Sequence, residues 1–214
     1  MREEVLKAIK ETKVIAIIRG MDVDVCVNLA KAYYEGGIRL VEVTFDQTGD
    51  PKKTIDAIKA IRKTLGEKMF VGAGTVLTSE QLKMLIDAGG EFMVTPSTNV
   101  NLIRECRAAG LVALPGALTP TEIVTAWEAG ADYVKVFPVR ALGVSYVKDV
   151  LAPLKHIPLL AVGGVNPENI ASYMEAGCKG AGASGSLVNK DWIKEGSWGK
   201  ITAVARALIE NAAG

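Results

Sequence analysis

The sequence predicts an α/β protein folded as a single (β/α)8 TIM barrel over residues 1–214. Three observations point there. One phrase, a helix-like segment ending in glycine followed by a short apolar run, recurs along the chain. Eight such apolar runs can be counted, each followed by a helix-like stretch. The runs are nearly continuous in Val, Ile, Leu, Ala and Met rather than alternating, as expected of parallel strands covered on both faces. A doubly wound open sheet is the alternative arrangement of the same units.

In chain order the runs are Val14–Ile18, Arg39–Phe45, Met69–Gly72, Phe92–Thr95, Leu111–Pro115, Tyr133–Phe137, Pro158–Val162 and Gly180–Ser184. Five are preceded by Glu35-Gly36-Gly37, Ala88-Gly89-Gly90, Ala109-Gly110, Ala129-Gly130 and Ala176-Gly177. Glycine there suits the left-handed residue that ends a helix. Gly89, Gly110 and Gly130 are 21 and 20 residues apart; the intervals Gly36–Gly89 and Gly130–Gly177 are 53 and 47, about two units each. Thr78-Ser79-Glu80, Thr119-Pro120-Thr121-Glu122 and Asn166-Pro167-Glu168 carry the capping residues of helix starts. The polar stretch Asn189–Gly199 leads to a final helix over Lys200–Asn211.

Composition narrows the function classes. A net charge of +1 offers no concentrated basic face for nucleic acid or an anionic membrane. No apolar run approaches the roughly 18 residues that span a bilayer, and Met1-Arg2-Glu3-Glu4 lacks the layout of a signal peptide. Cys26, Cys106 and Cys178 are widely separated and fall in helix-like segments. They are expected as buried thiols in a cytoplasmic protein, not as a disulfide framework or zinc site. Trp127, Trp192 and Trp198 are expected to pack helices. His156, the single histidine, falls before the seventh run, at the end of the barrel away from chemistry.

Barrel enzymes place their chemistry at the C-terminal ends of the strands, and this chain's polar residues gather there. Arg19 closes the first run; Gly72-Ala73-Gly74-Thr75 closes the third, Thr95-Pro96 the fourth and Pro115-Gly116 the fifth. Gly163-Gly164 closes the seventh and Ser184-Gly185-Ser186 the eighth, the positions where many barrels bind phosphate. Within the second and sixth runs, Glu42 is flanked by Val41 and Val43, and Lys135 by Val134 and Val136. Side chains alternate across a strand, so if the valines face the helices, Glu42 and Lys135 point into the barrel.

A lysine among apolar walls loses its preference for the ammonium form and becomes a nucleophile toward ketones. A neighbouring carboxyl group can then move protons. The pair suits a Schiff-base lyase; it also suits a decarboxylase or a transaldolase-like reaction, or a structural ion pair. Arg19 can grip a carboxylate or phosphate, and Thr75 offers a hydroxyl. Gly163-Gly164 permits close backbone approach to an anion. A metal-dependent epimerase on the same barrel would want several histidines and acids; a non-catalytic sugar-phosphate-binding barrel would bind without releasing product.

Ile17-Ile18-Arg19, Val41-Glu42-Val43-Thr44, Gly72-Ala73-Gly74-Thr75-Val76, Thr95-Pro96, Leu114-Pro115-Gly116, Val134-Lys135-Val136-Phe137-Pro138 and Gly163-Gly164-Val165 occur in this order over nearly the whole chain. Together they resemble the bacterial 2-keto-3-deoxy-6-phosphogluconate (KDPG) aldolase and 4-hydroxy-2-oxoglutarate (KHG) aldolase family. The resemblance implies a class I barrel aldolase with Lys135, in the Lys-x-Phe-Pro motif, as the Schiff-base residue and Glu42 as the general acid/base. It implies substrate contacts from Arg19, Thr75, Thr95, Pro96, Phe137, Gly163, Gly164, Ser184, Gly185 and Ser186. It further implies a homotrimer in carbohydrate breakdown of the Entner–Doudoroff type, without metal or organic cofactor. Three departures stand out. Asp46 occupies a position where some members have arginine. Ser184-Gly185 replaces Gly-Ser, so the phosphate hydroxyl comes from Ser184 or Ser186. Val162 precedes the glycine pair where gluconate-type members carry threonine; valine resembles the 6-phosphogalactonate branch, whereas Thr44 stands where that branch tends to have proline.

Overall fold

The computed structural model describes residues 1–214. Helix α1 (Arg2–Thr12) precedes the first strand. Then follow β1 (Val14–Ile18), α2 (Val23–Glu35), β2 (Leu40–Thr44), α3 (Pro51–Leu65), β3 (Phe70–Gly74), α4 (Ser79–Asp87), β4 (Phe92–Val94) and α5 (Val100–Ala108). The second half comprises β5 (Val112–Leu114), β6 (Gly116–Ala117), α6 (Pro120–Glu128), β7 (Val134–Val136), α7 (Gly143–Leu154), β8 (Leu159–Val162), α8 (Ile170–Glu175), β9 (Gly180–Ala183), α9 (Lys190–Lys194) and α10 (Trp198–Ala213). All strand pairs are parallel, in the order β5-β4-β3-β2-β1-β9-β8-β7-β6.

β5 and β6 are the two halves of one barrel strand, separated by Pro115. Proline has no N–H to give the ladder, but its carbonyl still accepts from Lys135 N at 2.8 Å. β5 pairs with β4 and β6 with β7, so the sheet closes through this broken strand and the open-sheet alternative is ruled out. Each predicted run forms a strand, and the repeated strand–helix unit is the TIM barrel.

Val41, Val43, Val134 and Val136 belong to the apolar layer between barrel and helices. Ile15, Ile17, Leu40, Phe92, Val94, Val112, Leu114, Leu160 and Val162 form a second cluster inside the barrel. Val5, Ala8 and Ile9, spaced along one face of α1, join that inner cluster. α1 therefore plugs the N-terminal end. Val5 and Ile9 are fully buried, worth about 1.5–3 kcal/mol each.

Local signals mostly place the helix starts. The Thr119 hydroxyl accepts from Glu122 N, and the Glu122 carboxylate accepts from Thr119 N, closing the capping box of α6. Thr78 caps α4 by accepting from Gln81 N. Some expectations need correction. α8 begins at Ile170, because Asn166 and Asn169 spend their side chains on each other's backbone N–H in a turn. The last helix starts at Trp198, and the segment before it holds the short α9. The cysteines are free and buried, but Cys178 lies in the turn after α8. Trp192 and Trp198 pack against the core, whereas Trp127 is exposed on α6. His156 is exposed in the turn before β8. No helix is long and apolar enough to cross a membrane.

Candidate active site

A cavity of about 630 Å³ opens at the C-terminal ends of the strands. Of the predicted site residues, it is lined by Lys135, Glu42, Arg19, Thr75, Pro96, Phe137, Gly163, Gly164, Ser184, Gly185 and Ser186.

Glu42 sits in the middle of β2, opposite Ile17 on β1 and Gly72 on β3. Lys135 sits in the middle of β7, opposite Leu160 on β8. Both reach the cavity and are almost wholly buried, at 2% and 7% exposure. Neither side chain has a hydrogen-bond or ion-pair partner within the protein, although each feels the other's charge. The missing Cβ of Gly74 leaves the space the carboxyl needs: a Cβ there would stand 2.8 Å from Glu42 Oε1.

Burial dominates the titration of both groups. It pushes the Glu42 carboxyl above its ordinary range, against the lowering effects of Lys135 and Arg19. It holds the Lys135 amine below its ordinary range, reinforced by Arg19 and opposed by Glu42. Burial thus works against the charged form of each group. The Phe137 ring lies 4.8 Å from Lys135 Nζ, so the amine has an aromatic wall.

Thr75 shows how the floor is held. Its φ is +56°, a conformation that is strained for a β-branched residue by about 1–3 kcal/mol. Gln47 Nε2 donates to the Thr75 carbonyl at 2.8 Å, and Arg19 Nη2 donates to the Thr75 hydroxyl at 3.4 Å. Gln81 Nε2 donates to Gln47 Oε1 and Gln81 Oε1 accepts from Leu77 N, joining the loops after β2 and β3. Gln47 carries no motif that would have singled it out; its role comes from loop proximity. Asp46 turns to its own loop, accepting from Thr48 N and Thr48 Oγ1, and its carboxyl is held below its ordinary range chiefly by those bonds.

On the opposite side, Gly163 and Gly164 have φ of +105° and +88°. The Gly164 carbonyl accepts from Asn169 Nδ2. The N–H groups of Gly163, Gly164, Val165, Gly185 and Ser186 meet no acceptor within the protein. Ser184 Oγ donates to the Ile17 carbonyl and Ser186 Oγ to the Val165 carbonyl, each at 3.2 Å, which fixes both hydroxyls at the rim.

Thr95 is the predicted site residue that does not reach the cavity. Its hydroxyl accepts from Gly116 N at 3.1 Å and donates to the Ser97 carbonyl, joining β4 to the broken strand. Its buried position reflects barrel closure. Conversely, Arg140, Asn166 and Val162 line the cavity. Val162 is legible as the residue before the glycine pair; Arg140 and Asn166 have no such signal.

Comparison with known proteins agrees with this geometry. The profile of the KDPG and KHG aldolase family matches residues 5–204. The chain is 39% identical over 174 residues to the 2-dehydro-3-deoxy-6-phosphogalactonate aldolase of Escherichia coli K12, covering 81% of this chain and 83% of that one. It is 32% identical over 207 residues to the 2-dehydro-3-deoxy-phosphogluconate aldolase of Treponema pallidum, covering 96% of both. A Legionella pneumophila KDPG aldolase, solved with pyruvate captured as a covalent carbinolamine, superposes with a TM-score of 0.81 at 25% identity, covering 94% of this chain and 96% of that one. With its barrel, its inward Lys135 and Glu42 and a match spanning nearly its full length, the chain belongs to the KDPG and KHG aldolase family.

Proposed function

We propose that this protein cleaves a phosphorylated 2-keto-3-deoxy sugar acid through a Schiff base on Lys135. The observation that carries the reading is the buried, unpartnered amine of Lys135 sharing one cavity with the buried, unpartnered carboxyl of Glu42. A structural ion pair would be expected in direct contact; these two line one cavity without forming one. The carbinolamine formed by pyruvate in the Legionella relative supports the same chemistry.

The neutral amine of Lys135 attacks the C2 ketone. The carbinolamine oxygen takes a proton from the Glu42 carboxyl and leaves as water, giving a protonated imine and a Glu42 carboxylate. Glu42, directly or through a water, removes the C4 hydroxyl proton. The C3–C4 electron pair then flows into the imine, C4 leaves as an aldehyde, and C3 becomes the enamine carbon. Protonation at C3 and hydrolysis of the imine release pyruvate and free the lysine. With KDPG the aldehyde is glyceraldehyde 3-phosphate; with 4-hydroxy-2-oxoglutarate it is glyoxylate. Arg19 and Thr75 are placed to take the C1 carboxylate, and the free N–H groups around Gly163-Gly164 and Ser184-Gly185-Ser186 to take the phosphate.

For the C4 configuration, the gluconate epimer is the first reading. The galactonate epimer is a second reading favoured by one observation: Val162, the residue of galactonate type, lines the cavity. We read residues 1–214 as one domain and the assembly as a homotrimer, which sedimentation would test. Borohydride with pyruvate should trap an adduct on Lys135; a label mapping to any other lysine defeats the assignment. Pyruvate release from both phosphorylated epimers and 4-hydroxy-2-oxoglutarate, measured side by side, ranks the substrates. No release from any of them would leave only a binding role.

A further inference from the structure

The 3-10 turn Val139–Ala141 follows β7 and carries Arg140 to the rim of the cavity. The arginine crosses directly over Gly164: a Cβ at that position would lie 2.6 Å from Arg140 Nε and 3.1 Å from Arg140 Cβ. Gly164 is thus needed twice, for its φ and to let this side chain pass. Arg140 is exposed, and no carboxylate or hydrogen-bond acceptor of the protein engages it. A guanidinium therefore lies against the same turn whose Gly163, Gly164 and Val165 N–H groups lack acceptors.

The other arginine of the cavity is placed differently. Arg19 reaches away from β8, to Thr75 at the end of β3, and it is the arginine whose charge bears on Glu42 and Lys135. Arg140 instead lies over Gly164, just past the end of β8. The cavity thus has one cation beside the reacting pair and a second across the barrel mouth. A ligand matching both carries two anions with the scissile bond between them. Guanidinium together with backbone N–H groups suits the tetrahedral oxygens of a phosphate at the far end.

We propose that Arg140 is a specificity-determining residue that clamps the distal phosphate and so selects phosphorylated six-carbon keto acids over the short 4-hydroxy-2-oxoglutarate. This rests on the aldolase reading above, and it assigns the two arginines to the two ends of one substrate.

Arg140→Gln and Arg140→Lys test it on the intact enzyme. Arg140→Gln should lower kcat/KM for the phosphorylated substrate roughly 10- to 100-fold, chiefly through KM, while lowering it about 3-fold or less for 4-hydroxy-2-oxoglutarate. Arg140→Lys should recover part of the loss. Inorganic phosphate, titrated calorimetrically, should bind the wild type and bind Arg140→Gln at least about 10-fold more weakly. Equal losses on both substrates, or no loss on the phosphorylated one, overturn the proposal. So does phosphate binding that is absent from the wild type or equal in the variant. Because the titration needs no turnover, weakened phosphate binding in a protein that cleaves neither substrate would defeat the aldolase reading while leaving Arg140 as an anion clamp.

Discussion

At the N-terminal end of the barrel, Asp132 accepts from Arg107 Nη1 at 3.1 Å, from Ala113 N at 2.9 Å and from Arg2 of the plugging helix. Glu91, beside the same end, accepts from Val71 N and pairs with Arg62. At the C-terminal end, Glu42 and Lys135 are as deeply buried and have no such partners. Burial raises the carboxyl pKa of both; at Glu91 the bonds from Val71 and Arg62 oppose the rise without cancelling it, whereas at Glu42 only the nearby charges of Lys135 and Arg19 do so. The same barrel satisfies its buried charges where it needs only to stay folded. It leaves them unsatisfied where a ligand is to arrive. Buried charge without a partner costs stability, so its retention at one end supports the proposal that the reaction takes place there.

Removing the proposed nucleophile should break this contrast most severely. Lys135→Met should lower pyruvate release by at least about 10³-fold and abolish borohydride trapping. It should also raise the melting temperature, since an unpartnered buried amine is replaced by an apolar side chain; a fall in melting temperature would mean that Lys135 contributes to the fold.

Asp132→Ala should do the reverse. It strands Arg2 and Arg107, which are 34% and 31% exposed, and should cost about 2–3 kcal/mol. For a chain of this size that is roughly a 5–10 °C fall in melting temperature, with kcat/KM unchanged at temperatures where the protein stays folded. A large loss of kcat/KM would show that the two ends are coupled.

Glu42→Gln sharpens the comparison through pH. It should lower turnover roughly 10²-fold while leaving pyruvate binding nearly intact. The folded protein holds the Glu42 pKa above its ordinary value of 4.5, so it prefers the protonated carboxyl. Stability from that preference is complete below the unfolded pKa and is lost as pH rises through the folded one. The melting-temperature gain of Glu42→Gln over wild type should therefore be small below pH 4.5 and grow toward neutrality; a gain independent of pH would contradict it.

The smallest effect concerns Thr44, whose buried Oγ1 has no partner. Thr44→Val keeps the shape and removes the unsatisfied hydroxyl, so thermal melts should show a stabilisation of up to about 1 kcal/mol. A destabilised variant would reveal an acceptor or a bound water at that hydroxyl.

Much of this was legible in the chain because it depends on local pattern. The apolar runs and glycine stops specify parallel strands, and strand alternation alone turns Glu42 and Lys135 inward. The position of Gly163-Gly164 after the penultimate strand of the barrel follows from counting units. Tertiary structure decided what depends on contacts between units. Thr95 sits at a strand end like the rim residues, but its hydroxyl is taken up between β4 and the broken strand, where it accepts from Gly116 N. α1 has a modest apolar face, and only the open bottom of a closed barrel makes it a plug. Gln47 and Arg140 reach the site because neighbouring loops meet in space, and no residue spacing along the chain records such a meeting.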